Sequence, residues 1–169
     1  MLKILETYKN TICESQIAIL YSETNSLVRF KKQFSHLKTV KYFAIGKARQ
    51  VGAGKFKSAI SIIETIISII KILFVNKDFF IFDHRSTLLL LNGPGSCVLL
   101  SAIFQIVKFI TFKNYCSLRV VYVESLARCN NLSMTGVFIY FLNLSDEFIV
   151  QWPELCSTYP FSKYYGFLV

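Results

Sequence analysis

The sequence predicts an open α/β fold, a parallel sheet with flanking helices. Short apolar runs alternate with longer apolar stretches of helical periodicity along most of the 169 residues. Thr87–Leu91 is almost continuously aliphatic, which is typical of a parallel strand covered on both faces. Strands that alternate with helices imply crossover connections and hence a parallel sheet. We therefore expect a single domain over residues 1–169, close to the usual domain size.

The elements follow one another along the chain in this alternation. Strands are expected at Gln16–Tyr21, Leu37–Ile45, Thr87–Leu91, Leu118–Val123, Glu147–Gln151 and Tyr164–Val169. Helices are expected at residues 1–12, 26–34, 56–75, 96–113, 133–144 and 153–158. The chain opens on a helix with no strand before it, which is unusual for this class. We therefore expect that the first strand of the sheet is missing.

Two of these helices are apolar enough to resemble membrane spans. In the helix around residues 58–75, one stripe collects the polar side chains Lys57, Ser61, Glu64, Ser68 and Lys71. In residues 97–113, Ser101, Gln105 and Lys108 share one face in the same way. A charge inside a span costs about 2.5–3.5 kcal/mol. We therefore expect both helices to cover a sheet, each with a narrow hydrated edge. The shorter stretch Val137–Leu142 fits either a buried helix or a membrane interface.

Composition and charge narrow the function classes. The chain is 53% hydrophobic and 17% charged, which excludes a disordered protein. Nineteen Lys and Arg against ten Asp and Glu give a net charge of +9, which favours a membrane surface or a phosphate ligand. The aromatic and basic motifs of RNA-binding proteins are missing, so nucleic acid is not an expected partner.

Metal and nucleotide sites are not expected. The five cysteines are scattered without a C-x-x-C pair, so they predict buried free thiols in a reducing compartment. The Gly54-Lys55 pair does not form a nucleotide P-loop, because Arg49 stands where the first glycine is required and Phe56 replaces the metal-binding Ser or Thr. We expect no cofactor.

The candidate site follows from the topology, since open α/β sheets bind ligands beyond the carboxyl ends of their strands. Thr87–Leu91 is followed by the turn Asn92, Gly93, Pro94, Gly95 and Ser96. Glycines allow close approach to the backbone, Ser96 can cap the next helix, and free N–H groups there favour an anion. The alternative is an ordinary turn between a strand and a helix.

Further candidates follow the neighbouring strands. Glu124, Ser125 and Arg128 come after Leu118–Val123. A carboxylate there can accept a substrate hydroxyl or its proton, and the guanidinium can hold phosphate. The alternative is a Glu–Arg pair that fixes a loop. Glu23 lies in the polar turn after the first predicted strand, and Arg49 lies in the most basic loop of the chain.

Four motifs together resemble a known family. They are NGPGSCV at 92–98, YVESLAR at 122–128, LSMTG at 132–136 and DEFIVQWPELCSTYP at 146–160. Their order and spacing are similar to those of family fourteen of asparagine-linked glycosylation, the membrane-anchoring subunit of the eukaryotic UDP-N-acetylglucosamine transferase. The resemblance implies a Rossmann-like fold, the N-terminal half of a GT-B glycosyltransferase. It also implies a subunit that is inactive without a separate catalytic, donor-binding subunit.

The resemblance also implies a substrate, a location and roles for the candidate residues. The pair would transfer the second N-acetylglucosamine to dolichyl-diphosphate-linked N-acetylglucosamine at the cytosolic face of the endoplasmic reticulum membrane. Asn92–Ser96, Ser125, Arg128, Glu23 and Arg49 would bind this acceptor, and Glu124 would orient or deprotonate the attacking hydroxyl. The alternative function is a non-catalytic scaffold that docks the donor subunit on the membrane. The residues expected to contact that subunit are Tyr159, Pro160, Tyr165, Gly166, Phe167, Leu168 and Val169.

The chain departs from the family pattern at several places. The family has a membrane-spanning helix, a first strand and a Gly-Gly-His-Thr turn before the position that matches Met1, so we expect these three elements to be missing here. Ala53 and Phe167 stand where the family usually has glutamine and arginine, and Ser86-Thr87 replaces Pro-Asp. Family contacts at these positions are not carried over.

Overall fold

The structure is a computed structural model that describes residues 17–21, 28, 32, 40–45, 55–76, 87–93, 95–110 and 118–167. It has the predicted α/β class, with parallel strands and flanking helices. The chain divides into two compact units, Met1–Ile72 and Leu73–Val169. A single domain over the whole chain stays a prediction. The predicted helices at 1–12 and 26–34 lie almost entirely outside the described residues.

The first unit contains a two-stranded parallel sheet. Strand β1 (Ile17–Tyr21) pairs with β2 (Val40–Ala44) over five residue pairs, from Ile17–Val40 to Tyr21–Ala44. The Ile45 N–H donates to the Tyr21 carbonyl at 2.8 Å and extends this pairing beyond the end of β2. Helix α1 (Lys55–Val75) follows.

The second unit alternates strands and helices as predicted. Its elements are β3 (Thr87–Leu91), α2 (Ser96–Ile110), β4 (Leu118–Val123), α3 (Met134–Phe141), β5 (Glu147–Val150), α4 (Pro153–Thr158) and β6 (Ser162–Tyr164). The sheet order is β3-β4-β5-β6, and each strand is parallel to the next. The carboxyl ends of these four strands therefore lie along one edge of the sheet.

The prediction of a last strand at Tyr164–Val169 is wrong. β6 ends at Tyr164, opposite Val150, because β5, its neighbour among the described strands, ends there and offers no further backbone groups. Gly166 then adopts a φ of +87°, which is outside the extended region and turns the chain away from the strand direction.

Helix α1 buries less of its surface than predicted. Ile69 and Leu73 are buried, and Glu64 and Lys71 are exposed as expected. However, the side chains at three- and four-residue steps on another face are exposed, namely Ile60, Ile63, Ile67, Ile70 and Phe74. The polar stripe of α1 is therefore exposed as expected, but the expectation that the rest of the helix is covered is wrong, because an apolar stripe beside it is exposed as well.

The polar stripe of α2, in contrast, is not the hydrated edge that we expected. Ser101 is completely buried and donates to the Leu144 carbonyl, which also accepts from Gln105 at 3.2 Å. Lys108 pairs with Asp146 at 2.6 Å, and the second oxygen of Asp146 accepts the Val120 N–H at 2.8 Å. The stripe anchors the segment before β5, because carbonyl and carboxylate oxygens there require donors.

Aromatic side chains of the second sheet and α3 pack together in the core of the second unit. The Tyr122 and Phe148 rings, paired on adjacent strands, are 5.1 Å apart, and Tyr140 of α3 meets Phe148 edge-on at 5.4 Å. Ile139 is buried, whereas Phe138, Phe141 and Leu142 are exposed, so the stretch Val137–Leu142 is half core and half surface.

Among the described helices, none combines the length and apolar character needed to cross a membrane.

The three cysteines that the structure describes are free thiols but are not uniformly buried. Cys97 and Cys156 are half-buried and Cys129 is exposed, so the expectation of buried cysteines is wrong for Cys129. This residue lies in the exposed loop between β4 and α3, where few side chains cover it. Cys13 and Cys116 lie outside the described residues.

Candidate functional site

The candidate site is the edge of the second sheet where the parallel strands end. The structure brings to this edge the predicted residues Asn92, Gly93, Gly95, Ser96, Glu124, Ser125 and Arg128. Pro94, Glu23 and Arg49 lie outside the described residues. In the part of the chain that is described, no His, Cys, Asp and Glu side chains gather into a group that could hold a metal ion.

The turn between β3 and α2 is anchored on one side and open on the other. The Asn92 side-chain amide donates to the Val123 carbonyl at 3.1 Å, which ties the turn to the end of β4. Gly93 has a φ of +108°, a conformation that side chains disfavour. A Cβ placed on Gly93 or Gly95 would meet nothing within 4 Å. A ligand can therefore approach this backbone directly, beside the start of α2 at Ser96.

Glu124 directly follows β4 and is completely buried, with 0% of its surface exposed. One carboxylate oxygen, Oε1, accepts the Ser125 N–H at 2.8 Å. The other, Oε2, accepts both the N–H and the hydroxyl of Ser133, each at 3.0 Å. The Tyr122 hydroxyl lies 3.5 Å from Oε1. These donors satisfy the charge of the carboxylate from within the protein.

Ser133 and Gly136 complete the seat of this carboxylate. Ser133 is the N-cap of α3, and its hydroxyl accepts the Gly136 N–H at 3.0 Å while donating to Glu124. A Cβ on Gly136 would lie only 2.0 Å from Glu124 Oε2. Glycine is therefore required there for the carboxylate to reach the beginning of α3, where the helix dipole favours a negative charge.

The loop that follows Glu124 is also held from β5. The Gln151 side-chain amide donates to the Glu124 carbonyl at 2.9 Å, and the Trp152 indole donates to the Leu126 carbonyl at 2.8 Å. Within the loop the Arg128 N–H donates to the Ser125 carbonyl at 3.0 Å. The Arg128 side chain itself is exposed. Hydrogen bonds thus hold the loop backbone, and the loop places an exposed cation beyond the end of β4.

The alternative role as a Glu–Arg pair does not describe this loop. In the described structure the Glu124 carboxylate is buried and bonded to Ser125 and Ser133, whereas the Arg128 side chain is exposed. Glu124 does fix the loop, but through backbone N–H groups and a hydroxyl. No salt bridge between the two side chains is part of that arrangement in the described residues.

Burial raises the pKa of two side chains near the site, Tyr122 and Cys97. Burial raises the pKa of Tyr122 far above its usual value, a hydrogen bond with Ser133 opposes this shift, and the nearby negative charge of Glu124 adds to it. Burial raises the pKa of the Cys97 thiol to about 11. Both groups are therefore neutral at physiological pH, and neither can serve there as an anionic base or nucleophile.

The segment predicted to contact a partner is aromatic and largely exposed. Tyr159 packs edge-on against Tyr140 at 5.2 Å, and Pro160 and Tyr165 are exposed. Phe167 is 52% exposed and meets the Trp152 ring edge-on at 5.2 Å. This segment therefore adjoins the loop that carries Arg128. Leu168 and Val169 lie outside the described residues.

Sequence reasoning missed Ser133, Gly136, Gln151 and Trp152 as site residues. Ser133 and Gly136 carried a usable signal, since a serine directly before an apolar helix predicts an N-cap. Gln151 and Trp152 had no local signal, because their partners lie more than twenty residues away in the chain.

Known proteins match this chain over its whole length. The family model of the Alg14-like oligosaccharide biosynthesis proteins matches residues 1–168. The chain is 36% identical over 178 residues to the UDP-N-acetylglucosamine transferase subunit ALG14 of Kluyveromyces lactis, covering 100% of this chain and 72% of that protein. The protein of the same name from Saccharomyces cerevisiae is 40% identical over 174 residues, covering 100% and 71%, respectively. The one from Yarrowia lipolytica is 31% identical over 174 residues, covering 100% and 74%.

No solved structure matches the chain. The segments YVES, LSMTG and VQWP and the turn after β3 lie within the matched range and contribute the residues of the site. The chain belongs to the Alg14 family of oligosaccharide biosynthesis proteins.

Proposed function

We propose that this chain is the acceptor-binding subunit of a heteromeric UDP-N-acetylglucosamine transferase. It binds dolichyl-diphosphate-linked N-acetylglucosamine and recruits the catalytic subunit, which holds the UDP-sugar. Its relatives carry the name of a subunit of this transferase. The pair transfers the second N-acetylglucosamine of the lipid-linked oligosaccharide. By itself the chain is inactive, because the donor site belongs to the partner.

The observation that carries this proposal is an open turn and an exposed cation at the same edge of the sheet. Gly93 and Gly95 leave the backbone before α2 accessible, and Arg128 extends from the next strand end along the same edge. A diphosphate is doubly suited to this edge, since backbone N–H groups at a helix start and a guanidinium both favour phosphate oxygens.

A location at the cytosolic face of the endoplasmic reticulum membrane accords with the surface of the chain. The net charge is +9, and α1 and α3 expose apolar side chains that include Ile67, Phe74, Phe138 and Phe141. Positive charge attracts a protein to anionic lipids, and exposed apolar side chains add to the attraction at the interface. The acceptor itself is a lipid, so a protein that binds its diphosphate must also work at the membrane surface.

The test is transfer by the reconstituted pair. The full chain and its catalytic partner are assayed in lipid vesicles with UDP-N-acetylglucosamine and a short isoprenoid diphosphate that carries N-acetylglucosamine. We expect Arg128→Ala to raise the KM for this acceptor about tenfold or more, as the loss of a charged phosphate contact does. Arg119→Ala is the matched control, because Arg119 is exposed at the opposite end of β4. Equal effects of the two substitutions would refute the assigned acceptor site.

The second candidate function is a docking scaffold without a role in acceptor binding. It is favoured by the exposed aromatic side chains of Phe161, Tyr165 and Phe167 near the end of the chain. Deletion of residues 159–169 then abolishes transfer by releasing the catalytic subunit, whereas replacement of both Asn92 and Arg128 leaves transfer intact. Loss of transfer in the Asn92 and Arg128 variants with the pair still assembled would exclude the scaffold.

A further inference from the structure

The burial of Glu124 does not suit a carboxylate that exchanges a proton with a substrate. A general base must come within hydrogen-bond reach of the substrate hydroxyl. Glu124 has no exposed surface, and its two oxygens accept three close hydrogen bonds from Ser125 and Ser133. Gly136 allows the carboxylate to sit against the first turn of α3, so the surrounding sequence is adapted to this buried position.

The carboxylate is connected to Arg128 through a short chain of hydrogen bonds. Oε1 holds the Ser125 N–H at 2.8 Å, and the Ser125 carbonyl in turn holds the Arg128 N–H at 3.0 Å. Oε2 holds Ser133 at the far end of the same loop. The loop between residues 125 and 133 is thus pinned at both ends by one side chain.

We infer that Glu124 is a positioning residue, which pins both ends of the loop from Ser125 to Ser133 and so fixes Arg128 where the acceptor diphosphate binds. This inference rests on the proposed function. It assigns Glu124 a different role from the one predicted from sequence, which was to orient or deprotonate the attacking hydroxyl. A mobile loop would have to be ordered each time the acceptor binds, which weakens binding. Transfer chemistry on the bound acceptor would then change little.

Glu124→Gln separates the two roles. An amide has one acceptor oxygen and one NH2 donor, so the NH2 group must face one of the N–H groups that the carboxylate accepts. We expect the KM for the isoprenoid diphosphate acceptor to rise about tenfold while kcat changes less than about threefold. The pH profile of kcat should keep its shape. Loss of a general base would instead lower kcat by about 10²–10⁴ and remove the acidic limb of that profile, and this result would overturn the inference.

A double-mutant cycle tests the connection to Arg128. If Glu124 acts through the position of Arg128, Arg128→Ala removes the benefit of the fixed loop, and Glu124→Gln adds little to the KM of the Arg128→Ala variant. If the KM increases of the two single variants instead multiply in the double variant, Glu124 acts independently of Arg128, and this result would overturn the inference. Glu64→Gln removes the same charge from the exposed surface of α1 and should leave both constants unchanged.

Ser133→Ala keeps the inference testable if Glu124→Gln fails to fold in a thermal melt. It removes one of the two donors to Oε2 and leaves the Ser133 N–H, so we expect a smaller rise in KM, about threefold, again with kcat retained. A fall in kcat at constant KM would overturn the inference here as well. A wild-type pair that transfers no sugar would refute the proposed function instead, because the loop variants are judged only against an active pair.

Discussion

Gly136→Ala should destabilise the protein by placing a methyl group against a buried carboxylate. The new Cβ would lie 2.0 Å from Glu124 Oε2 and 3.2 Å from both Glu124 Cδ and Ser133 Oγ. Because Glu124 is completely buried, its carboxylate must leave the seat formed by Ser133 to relieve this contact. The substitution therefore costs hydrogen bonds as well as steric strain.

The magnitude follows from the bonds to Oε2. Two hydrogen bonds from Ser133 are lost, and a hydrogen bond to a charged group contributes about 1.5–3 kcal/mol. Alanine in a helix recovers about 1 kcal/mol relative to glycine. We expect the free energy of unfolding to fall by about 2–5 kcal/mol, which corresponds to roughly 5–15 °C in the melting temperature.

Urea denaturation followed by circular dichroism measures this loss. Gly95→Ala is the matched control, since a Cβ on Gly95 meets nothing within 4 Å, and it should cost less than about 1 kcal/mol. The decisive comparison is Gly136→Ala in a Glu124→Ala background. There the obstructing carboxylate is gone, so the alanine at 136 should cost almost nothing further. An undiminished cost in that background would refute the steric reasoning.

Three further measurements probe other parts of the second unit. Because burial raises the pKa of the Cys97 thiol from 9.0 to about 11, the folded state binds the thiol proton more tightly than the unfolded state does. This contribution to the free energy of unfolding is fully present below about pH 9 and is lost as the pH rises through 11. Between pH 9 and 11 the free energy of unfolding should therefore fall by about 2–3 kcal/mol less in Cys97→Ala than in the unmodified protein. If both proteins lose stability in parallel over this range, the raised pKa of Cys97 is contradicted. Near neutral pH a maleimide should label the exposed Cys129 much faster than Cys97, as read by peptide mass spectrometry, and equal rates would contradict the burial of Cys97. Asp146→Ala should lower the free energy of unfolding, measured by urea denaturation, by about 2–4 kcal/mol, because it removes the acceptor of the Val120 N–H and the partner of Lys108. Asp146→Asn keeps an acceptor oxygen and should lower it less. An equal loss in the two variants would argue against the Val120 contact.

Local pattern predicted most of the elements in the second unit. β3 at Thr87–Leu91 and β4 at Leu118–Val123 have the predicted bounds, because strand formation there follows from short aliphatic runs between polar turns. Helix α4 at Pro153–Thr158 also has its predicted bounds, with proline in its first turn. The last strand was misplaced, since its extent depends on where its neighbour β5 ends rather than on its own residues.

The same distinction applies to the polar faces of the helices. Helical spacing correctly placed Ser101, Gln105 and Lys108 on one side of α2. Helical spacing does not show which groups face these side chains in the folded protein. The stripe was therefore expected to face water, whereas it makes hydrogen bonds and an ion pair with Leu144 and Asp146. Likewise the apolar residues of α1 were all expected to be covered, whereas one row of them is exposed.

The sequence by itself determined the α/β class, the alternation of elements, and the turns after β3 and β4 as the place to look for a site. These follow from hydrophobic periodicity and from glycine and capping residues, which act within a few neighbouring residues. Only the tertiary structure decided the role of Glu124. Its partners Ser125, Ser133 and Gln151 come from one, nine and twenty-seven residues along the chain, and the Gly136 seat exists only once α3 packs against β4. A carboxylate at a strand end can face a ligand or the protein interior, and its burial is a property of the packed fold rather than of the local sequence.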